Sequence, residues 1–348
     1  MARVYGLIGG KLGHSYSKLI HERLYGCDYR LIELKPEELA PFIRAREFAG
    51  LNVTIPYKQA VIPLCDRLTD AARRIGAVNT LYFDGDGALT GDNTDHYGML
   101  RMLEGFDLKG RDVIVLGASG GTGKTAACAL SDLGAMVRPL SRGAEGDYKE
   151  AYGLRADFLL NATPVGMYPD LAACPVDPAR IEGLKGVADV IYNPARTRLM
   201  QRAEAAGLKT RGGLSMLVYQ AAGSARRFLG EAPDVAQVEE TLVALAQETR
   251  SIALVGMPGS GKSTVARHVA MWLGREVFDT DQMIESRHGP IPEIFAREGE
   301  ARFRALEAEV VREASLKRGA VIATGGGAVL NEENRALLRS SAFVVQLE

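Results

Sequence analysis

Cysteine is scarce in this sequence: four among 348 residues (Cys27, Cys65, Cys128, Cys174), with no CxxC pair and no histidine cluster at metal-ligand spacing. That scatter excludes a disulfide framework and the common structural zinc motifs, and it fits free thiols in a reducing cytoplasm. Long apolar runs are missing too. No segment reaches the roughly 20 apolar residues that span a bilayer, and the opening MARVYGLIGGKLGHSYS lacks the apolar core of a signal peptide. The reading is a cytoplasmic protein with no membrane partner. An excess of one charge sign is absent as well. The formal net charge is -1, so no global field draws in nucleic acid, and ligands must be recognised by particular basic residues and backbone amides. Repeats, low-complexity tracts and Pro/Gly/Ser-rich linkers are also lacking.

What is present suits buried cores. Hydrophobic residues make up 47% and charged residues 24%, and 348 residues suggest two or three domains. Val4–Ile8 reads as a strand, followed by a helix over Ser17–Leu24 and a strand over Tyr29–Leu34. The next helix is opened by Pro36-Glu37-Glu38, whose acids suit a helix N-terminus. Leu51–Ile55 reads as a strand stopped by Pro56. Thr80–Phe83 and Ala88–Thr90, around Asp84-Gly-Asp-Gly, read as a hairpin. Strands alternating with helices predict a parallel α/β sheet.

From Leu108 the texture changes. Val113–Leu116 is a continuous apolar run, as expected of a central parallel strand covered on both faces. A glycine-rich turn, a helix to Leu133 and a strand over Met136–Leu140 follow, with further strand signals at Phe158–Leu160 and Val187–Ile191. Gln220–Leu229 and Val235–Gln247 read as helices, the second carrying Val238, Leu242 and Leu245 on its apolar face. At Ser251 the strand–loop–helix theme restarts, with no flexible linker across Ala246–Arg250.

Two glycine loops follow strands. Ala118–Thr125 nearly satisfies a phosphate-loop pattern, with Lys124 in the lysine place, but alanine stands where the first glycine belongs. Read as a dinucleotide loop, Gly117, Ser119, Gly120 and Gly121 let backbone amides approach a pyrophosphate at a helix N-terminus. About 20 residues on come Ser141 and Arg142, with no acid for the ribose hydroxyl of NAD and an arginine suited to the 2′-phosphate of NADP. NADP is the preferred cofactor and NAD the alternative, in which Arg142 is a solvated surface residue. The second loop, Gly256-Met-Pro-Gly259-Ser-Gly261-Lys262-Ser263-Thr264, is a complete GxxxxGK[ST] between a strand (Ile252–Val255) and an apolar-periodic helix. Its amides can cradle phosphates of ATP, Lys262 can reach the β- and γ-phosphates, and Ser263 can ligate Mg²⁺.

Four motifs precede residue 100: Gly13–Ser17, Asn52–Lys58, Gly76–Thr80 and Gly91–Asp95. They offer hydroxyls, an amide and a Lys/Asp pair, the groups needed to hold a polyol carboxylate and to relay the proton that accompanies hydride transfer. Taken singly, Lys58 and Asp95 read equally as a surface ion pair of little worth. Together with Asn161–Met167, Asp189–Pro194 and Gly213–Ala222, the motifs resemble the shikimate dehydrogenase family over residues 1 to about 245. The resemblance implies a split α/β substrate domain (1–97 and 215–245) flanking an NADP-binding Rossmann-like domain (98–214). It implies that Ser15, Ser17, Thr54, Asn79, Asp95 and Gln220 hold the substrate, with Lys58 as acid/base assisted by Asp95. Tyr192 would lie near the substrate, and Thr163, Met167 and Gly213 near the cofactor. The implied reaction is NADPH-dependent reduction of 3-dehydroshikimate to shikimate, and a homodimer is compatible with it. Lys18, His96, Ser119, Ser141 and Gly143 depart from the family's usual pattern, and the stretch between Ile20 and Asn52 is short. His14 is read as a structural hydrogen-bonding residue rather than a base.

The remaining motifs are Phe278–Asp281, Phe295–Arg304 and Ala323–Gly327. Asp279, at a strand end, is placed to hold Mg²⁺ through water, Asp281 to accept a hydroxyl proton, and Arg304 to fork onto a carboxylate. The set resembles shikimate kinase, with Asp281, Arg304 and Gly325, Gly326 and Gly327 in its shikimate site. The resemblance implies an incomplete P-loop kinase α/β domain over 251–348, since the family's lid arginine and second substrate arginine would follow Glu348. A weak or inactive kinase is therefore expected. Two alternatives stand beside a bifunctional enzyme: a dehydrogenase whose kinase-like part only binds ligand or mediates assembly, and an NAD-preferring quinate or aminoshikimate dehydrogenase.

Overall fold

The computed structural model describes residues 4–13, 15–142 and 148–348. His14 and Gly143, singled out in the sequence, lie outside the described residues. Fifteen strands form three sheets among the described residues, each sheet drawn from one continuous stretch of chain.

The first sheet contains β1 (Val4–Gly9), β2 (Tyr29–Glu33), β3 (Phe48–Val53), β4 (Arg67–Leu68), β5 (Thr80–Phe83) and β6 (Leu89–Asp92), in the order β2-β1-β3-β5-β6-β4. It is mixed rather than wholly parallel. β1 pairs parallel with β2 and β3, but β5 runs antiparallel to β3, and the Asp84–Gly87 turn folds β5 and β6 into an antiparallel hairpin. β3 starts earlier than its motif suggested and ends at Val53, which releases Thr54 into the following turn. Leu39 and Ile43 of the helix Pro36–Ala45 join Ile8, Leu51, Val53 and Leu81 in a core on one face. The helix Leu214–Leu229, distant in sequence, packs against the same sheet. A Cβ on Gly50 would stand 2.6 Å from a Phe228 ring carbon, so only glycine fits beneath that ring. This helix begins six residues before the Gln220 start read from the sequence, since Leu214–Tyr219 continue the same apolar periodicity.

The second sheet is all parallel: β7 (Asp112–Leu116), β8 (Met136–Leu140), β9 (Phe158–Asn161), β10 (Gly186–Asp189) and β11 (Lys209–Gly212), ordered β11-β10-β9-β7-β8. Val113–Leu116 are buried, as a central strand covered on both faces requires. Pro139 is tolerated because β8 is an edge. The helix Gly121–Asp132 supplies Ala126, Ala129 and Leu130 to the core.

The third sheet is also parallel: β12 (Ser251–Gly256), β13 (Val277–Asp279), β14 (Val321–Ala323) and β15 (Ala342–Leu347), ordered β13-β14-β12-β15. Ala266 and Ala270 of the helix Lys262–Leu273 pack in one core, while Val311, Ala314 and Leu338 pack in another. No helix of the described residues is long and apolar enough to cross a membrane.

By compactness the chain divides into two units. One comprises 1–163, 178–190 and 208–243, and the other 164–177, 191–207 and 244–348. The boundary after Val243 falls inside the helix Val235–Thr249.

His21, in the helix Ser17–Tyr25, is fully buried and stacks on Tyr29 at 4.2 Å with the rings nearly parallel. Burial holds its pKa down to about 3. An unfolded chain takes up this proton below about pH 6.5. Stability therefore falls as the pH drops from there toward 3, by up to about 1.4 kcal/mol per pH unit. Thermal melts across pH 4 to 7 should show this loss, and His21→Phe should flatten it; a native profile level down to about pH 5 would contradict the burial argument.

Candidate active sites

In the first unit, the turn after β3 sets the side chain of Lys58. Its backbone carbonyl accepts from the Val78 amide at 2.7 Å, tying the turn to Gly76–Thr80. From there Lys58 Nζ donates to Asp95 Oδ2 at 2.5 Å, with only 22% and 13% of the two side chains exposed. This shelter separates the pair from a solvated surface bridge. Asp95 lies in the first turn of the helix Thr94–Met102, where a carboxylate is favoured by the amide dipoles.

Asn79 is buried, and its side-chain oxygen accepts from the Thr94 amide at 2.7 Å and from the Thr80 and Thr94 hydroxyls. Its side-chain amide points to Gln220 Oε1 at 3.5 Å. Gln220 can approach because Gly98 has no side chain; a Cβ there would lie 3.0 Å from Gln220 Cβ. Lys58, Asn79, Asp95 and Gln220 thus converge. Ser15 Oγ accepts from the Ser17 amide at 3.2 Å, and Ser17 is buried while Ser15 is half-exposed. The turn bearing Thr54 is joined to the end of β1 through Gly10 N–Ile55 O (3.1 Å) and Thr54 N–Ile8 O (2.9 Å).

The glycine loop leaves β7 at Gly117, whose φ of 77° lies in the left-handed region. A Cβ at Gly117 would be 2.8 Å from Thr163 Cγ2, and one at Gly123 would be 2.7 Å from Ala118 Cα. Both positions serve close backbone approach, the demand a dinucleotide loop makes. Gly120 precedes the helix Gly121–Asp132 without a side-chain cap, so the first helical amides are available to an anion. Thr163 bonds Asn161 Oδ1, and Asn161 in turn bonds Asp189. Ser119, Ser141 and Arg142 are exposed, as is Lys124 on the helix Gly121–Asp132. Gly213 stands against the backbone of Val190. Tyr192 and Met167 belong to the second unit, where Tyr192 is half-buried and Met167 exposed.

A second site lies within that second unit. Gly256, Gly259 and Gly261 all have positive φ, so the phosphate loop needs glycine at each. Lys262 is buried and donates to the carbonyls of Gly256 (2.9 Å) and Met257 (2.7 Å). Ser263 is half-buried and Thr264 exposed. Asp279 Oδ1 accepts from the amides of Asp281 and Gln282 at the start of the helix Thr280–His288. The three glycines hold this site close. A Cβ on Gly325 would be 2.6 Å from Asp281 Oδ1, one on Gly326 2.6 Å from Pro258, and one on Gly327 2.7 Å from Arg304 Nη2. Asp281, Arg304 and the phosphate loop are thereby gathered around one turn.

With this geometry, comparison with known proteins becomes informative. Residues 7–81 match the shikimate dehydrogenase substrate binding domain, and residues 213–243 the shikimate 5′-dehydrogenase C-terminal domain. The shikimate dehydrogenase (NADP(+)) of Oleidesulfovibrio alaskensis is 40% identical over 261 residues, which cover 68% of this chain and 92% of that protein. The chain belongs to the shikimate dehydrogenase family. A Clostridium acetobutylicum chorismate mutase/shikimate 5-dehydrogenase fusion protein superposes with a TM-score of 0.66 at 36% identity, covering 71% of this chain and 98% of that one. Shikimate 5-dehydrogenase from Thermus thermophilus, solved with NADP(H) and shikimate, gives 0.60 at 33%, covering 70% and 99%. Residues 258–348 match shikimate kinase, so this shikimate dehydrogenase family member also carries a kinase-like P-loop module.

Sequence reading passed over the groups behind the named ones. Asn52 donates to Ser224 Oγ at 2.7 Å and accepts from the Tyr29 hydroxyl at 2.8 Å, while Thr94 and Thr80 bond the same Ser224. The available signal was the serine four residues after Gln220, on a buried helix face. Asp92, buried at the end of β6, holds Arg227 at 2.7 Å. In the second site the unremarked residue is Glu307, which is buried and bonds Arg304 Nη1 at 2.9 Å, three residues away.

Burial, Asp279 and Glu307 together push the Asp281 carboxyl above its usual range. A raised folded-state pKa favours folding at low pH, and that contribution is lost as pH rises through the folded value. Asp281→Asn should therefore raise the thermal midpoint at neutral pH, with the gain shrinking on acidification. An equal or lower midpoint at neutral pH would count against this electrostatic reading.

Proposed function

We propose that residues 1 to about 245 catalyse the NADPH-dependent reduction of 3-dehydroshikimate to shikimate, in the cytoplasm. The observation that carries the proposal is the sheltered Lys58–Asp95 pair beside Asn79 and Gln220. Shikimate dehydrogenases named for NADP(+) among the relatives support the same reading. The split division into 1–97 with 215–245, 98–214 and 251–348 is part of it, supported by the three sheets.

The crowded glycines at 117 and 123 fit a dinucleotide, whose phosphates the amides of Gly120 and Gly121 would meet, with Ser119 alongside. Arg142 and Ser141 would receive the 2′-phosphate, favouring NADP over NAD. The nicotinamide, when bound, supplies the hydride. Lys58 donates the proton to the substrate's C3 oxygen in reduction and takes it back in oxidation. Asp95 keeps Lys58 aimed at that oxygen and holds its charge. Asn79 and Gln220 orient the ring hydroxyls, while Ser15, Ser17 and Thr54 receive the substrate's carboxylate end.

The second site supports a further reading: the P-loop module binds MgATP, with Lys262 on the phosphates and Ser263 and Asp279 toward the metal. Asp281, Arg304 and Gly325–Gly327 would take shikimate, whose O3 is the acceptor if phosphoryl transfer occurs. Their shared turn is the supporting observation. If ligand binding occurs without transfer, the module is a binding element.

Reduction of NADP⁺ by the full chain with shikimate, followed at the NADPH band, should be rapid and weaker with NAD⁺. Lys58→Ala should lower kcat by about 10²- to 10⁴-fold with the fold intact. No turnover with either cofactor would sink the dehydrogenase reading. For the second site, Lys262→Ala should abolish ATP binding measured by calorimetry and leave shikimate oxidation unchanged; ATP binding that survives the substitution would remove the phosphate loop from the proposal.

A further inference from the structure

Outside both sites, one constellation gathers three chemically different ligating groups. His96 follows Asp95 in the helix Thr94–Met102. Cys128 and Asp132 stand four residues apart on the helix Gly121–Asp132, and therefore on one face of it. His96 Nε2 is 2.8 Å from Asp132 Oδ2. The imidazole nitrogen, the thiol sulfur and a carboxylate oxygen all lie within 4.8 Å of one another. Arg74, from the helix Asp70–Ile75, reaches the same carboxylate, with Nη2 2.6 Å from Asp132 Oδ1.

We propose that His96, Cys128 and Asp132 form a binding site for one zinc-class divalent ion, and that Arg74 is the cation occupying the carboxylate when no metal is bound. The donor set decides the class. One nitrogen, one sulfur and one oxygen suit zinc or its spectroscopic substitute cobalt, whereas magnesium and calcium seek oxygen alone. Around a tetrahedral zinc these donors would sit about 3.5 Å apart, given bonds of roughly 2.0–2.3 Å. The present spacing needs adjustments of about 1 Å, within the reach of side-chain rotation. His96 is sheltered, with 16% of its side chain exposed, so one ligand is already ordered by its bond to Asp132.

Arg74 does not block the site, because 53% of its side chain is exposed and it can swing into water. Its departure exchanges one cation for another at Asp132. The Cys128 thiol titrates above its usual range, chiefly through burial and partly opposed by Arg74. Metal binding must therefore expel that proton to solvent, leaving the thiolate as ligand. Three protein donors leave a fourth position for water. An ion there would pin the helix that begins beside Asp95 to the helix that begins at the glycine loop. The proposal does not depend on the reaction assigned above, and its test reads binding alone.

The full chain, stripped with a chelator, is titrated with Co²⁺ and then with Zn²⁺. One equivalent of Co²⁺ should produce a near-ultraviolet thiolate charge-transfer band that Zn²⁺ removes. Cys128→Ser should lose the band. His96→Ala and Asp132→Ala should weaken Zn²⁺ binding by more than the roughly 10- to 100-fold that loss of a second-sphere partner costs. Arg74→Ala, which alters an exposed side chain, should bind Zn²⁺ several-fold more tightly, and it keeps the test decisive if a ligand variant fails to fold. Absence of the band at one equivalent, its survival in Cys128→Ser, or unchanged or weaker binding in Arg74→Ala would each overturn the site.

Discussion

The side-chain oxygen of Asn79 accepts the amide of Thr94, and the first site depends on that bond. A helix must begin where its first amides find acceptors, and here one acceptor comes from the residue just before the hairpin strand β5. The consequence is positional. Asp95, one residue into the helix, is fixed relative to the strand end, and Lys58 is fixed by its own carbonyl bond to Val78 on the same segment. Lys58 and Asp95 therefore share one short frame instead of meeting across a flexible loop. Behind Asn79, the hydroxyls of Thr80, Thr94 and Ser224 and the amide of Asn52 form a buried, mutually satisfied network. Such a network is stable only when its members are paired, so it defines one arrangement of the helix Leu214–Leu229 against the sheet.

Close backbone approach is the second recurring constraint. Gly50 admits Phe228, Gly98 admits Gln220, and Gly123 lets its helix settle against the loop from β7. In the P-loop module, Gly325 admits Asp281 and Glu307. In each case a missing side chain allows a functional or supporting group to come near. At Gly50 and Gly98, which no motif reading singled out, the structure uses glycine's lack of volume rather than its conformational freedom.

Much of this was legible beforehand. The continuous apolar run Val113–Leu116 did lie inside a parallel sheet, between β9 and β8, and the GxxxxGK[ST] loop did follow a strand and open a helix. Lys124 was legible as a surface lysine, since its loop lacks the first glycine. Less accessible was the antiparallel place of β5 in the first sheet, because alternation of strands and helices says nothing about direction once a hairpin intervenes. Ser224, Arg227 and Glu307 escaped notice for a different reason. Their roles arise from partners that are far away in sequence or hidden within one helix, and Ser224 offered only its place four residues after Gln220. His96, Cys128 and Asp132 likewise meet only because two helices pack side by side.

Lys262 is already satisfied by two carbonyl oxygens of its own loop. Any ligand arriving there enters an exchange: it must replace those bonds with better ones. A neutral nucleoside has nothing better to offer the ammonium than a carbonyl dipole, whereas a phosphate oxygen brings a full opposite charge to a donor that is already charged. On the reading proposed above, the loop's discrimination would be set before any base or sugar is read, by negative charge first and by shape only afterwards.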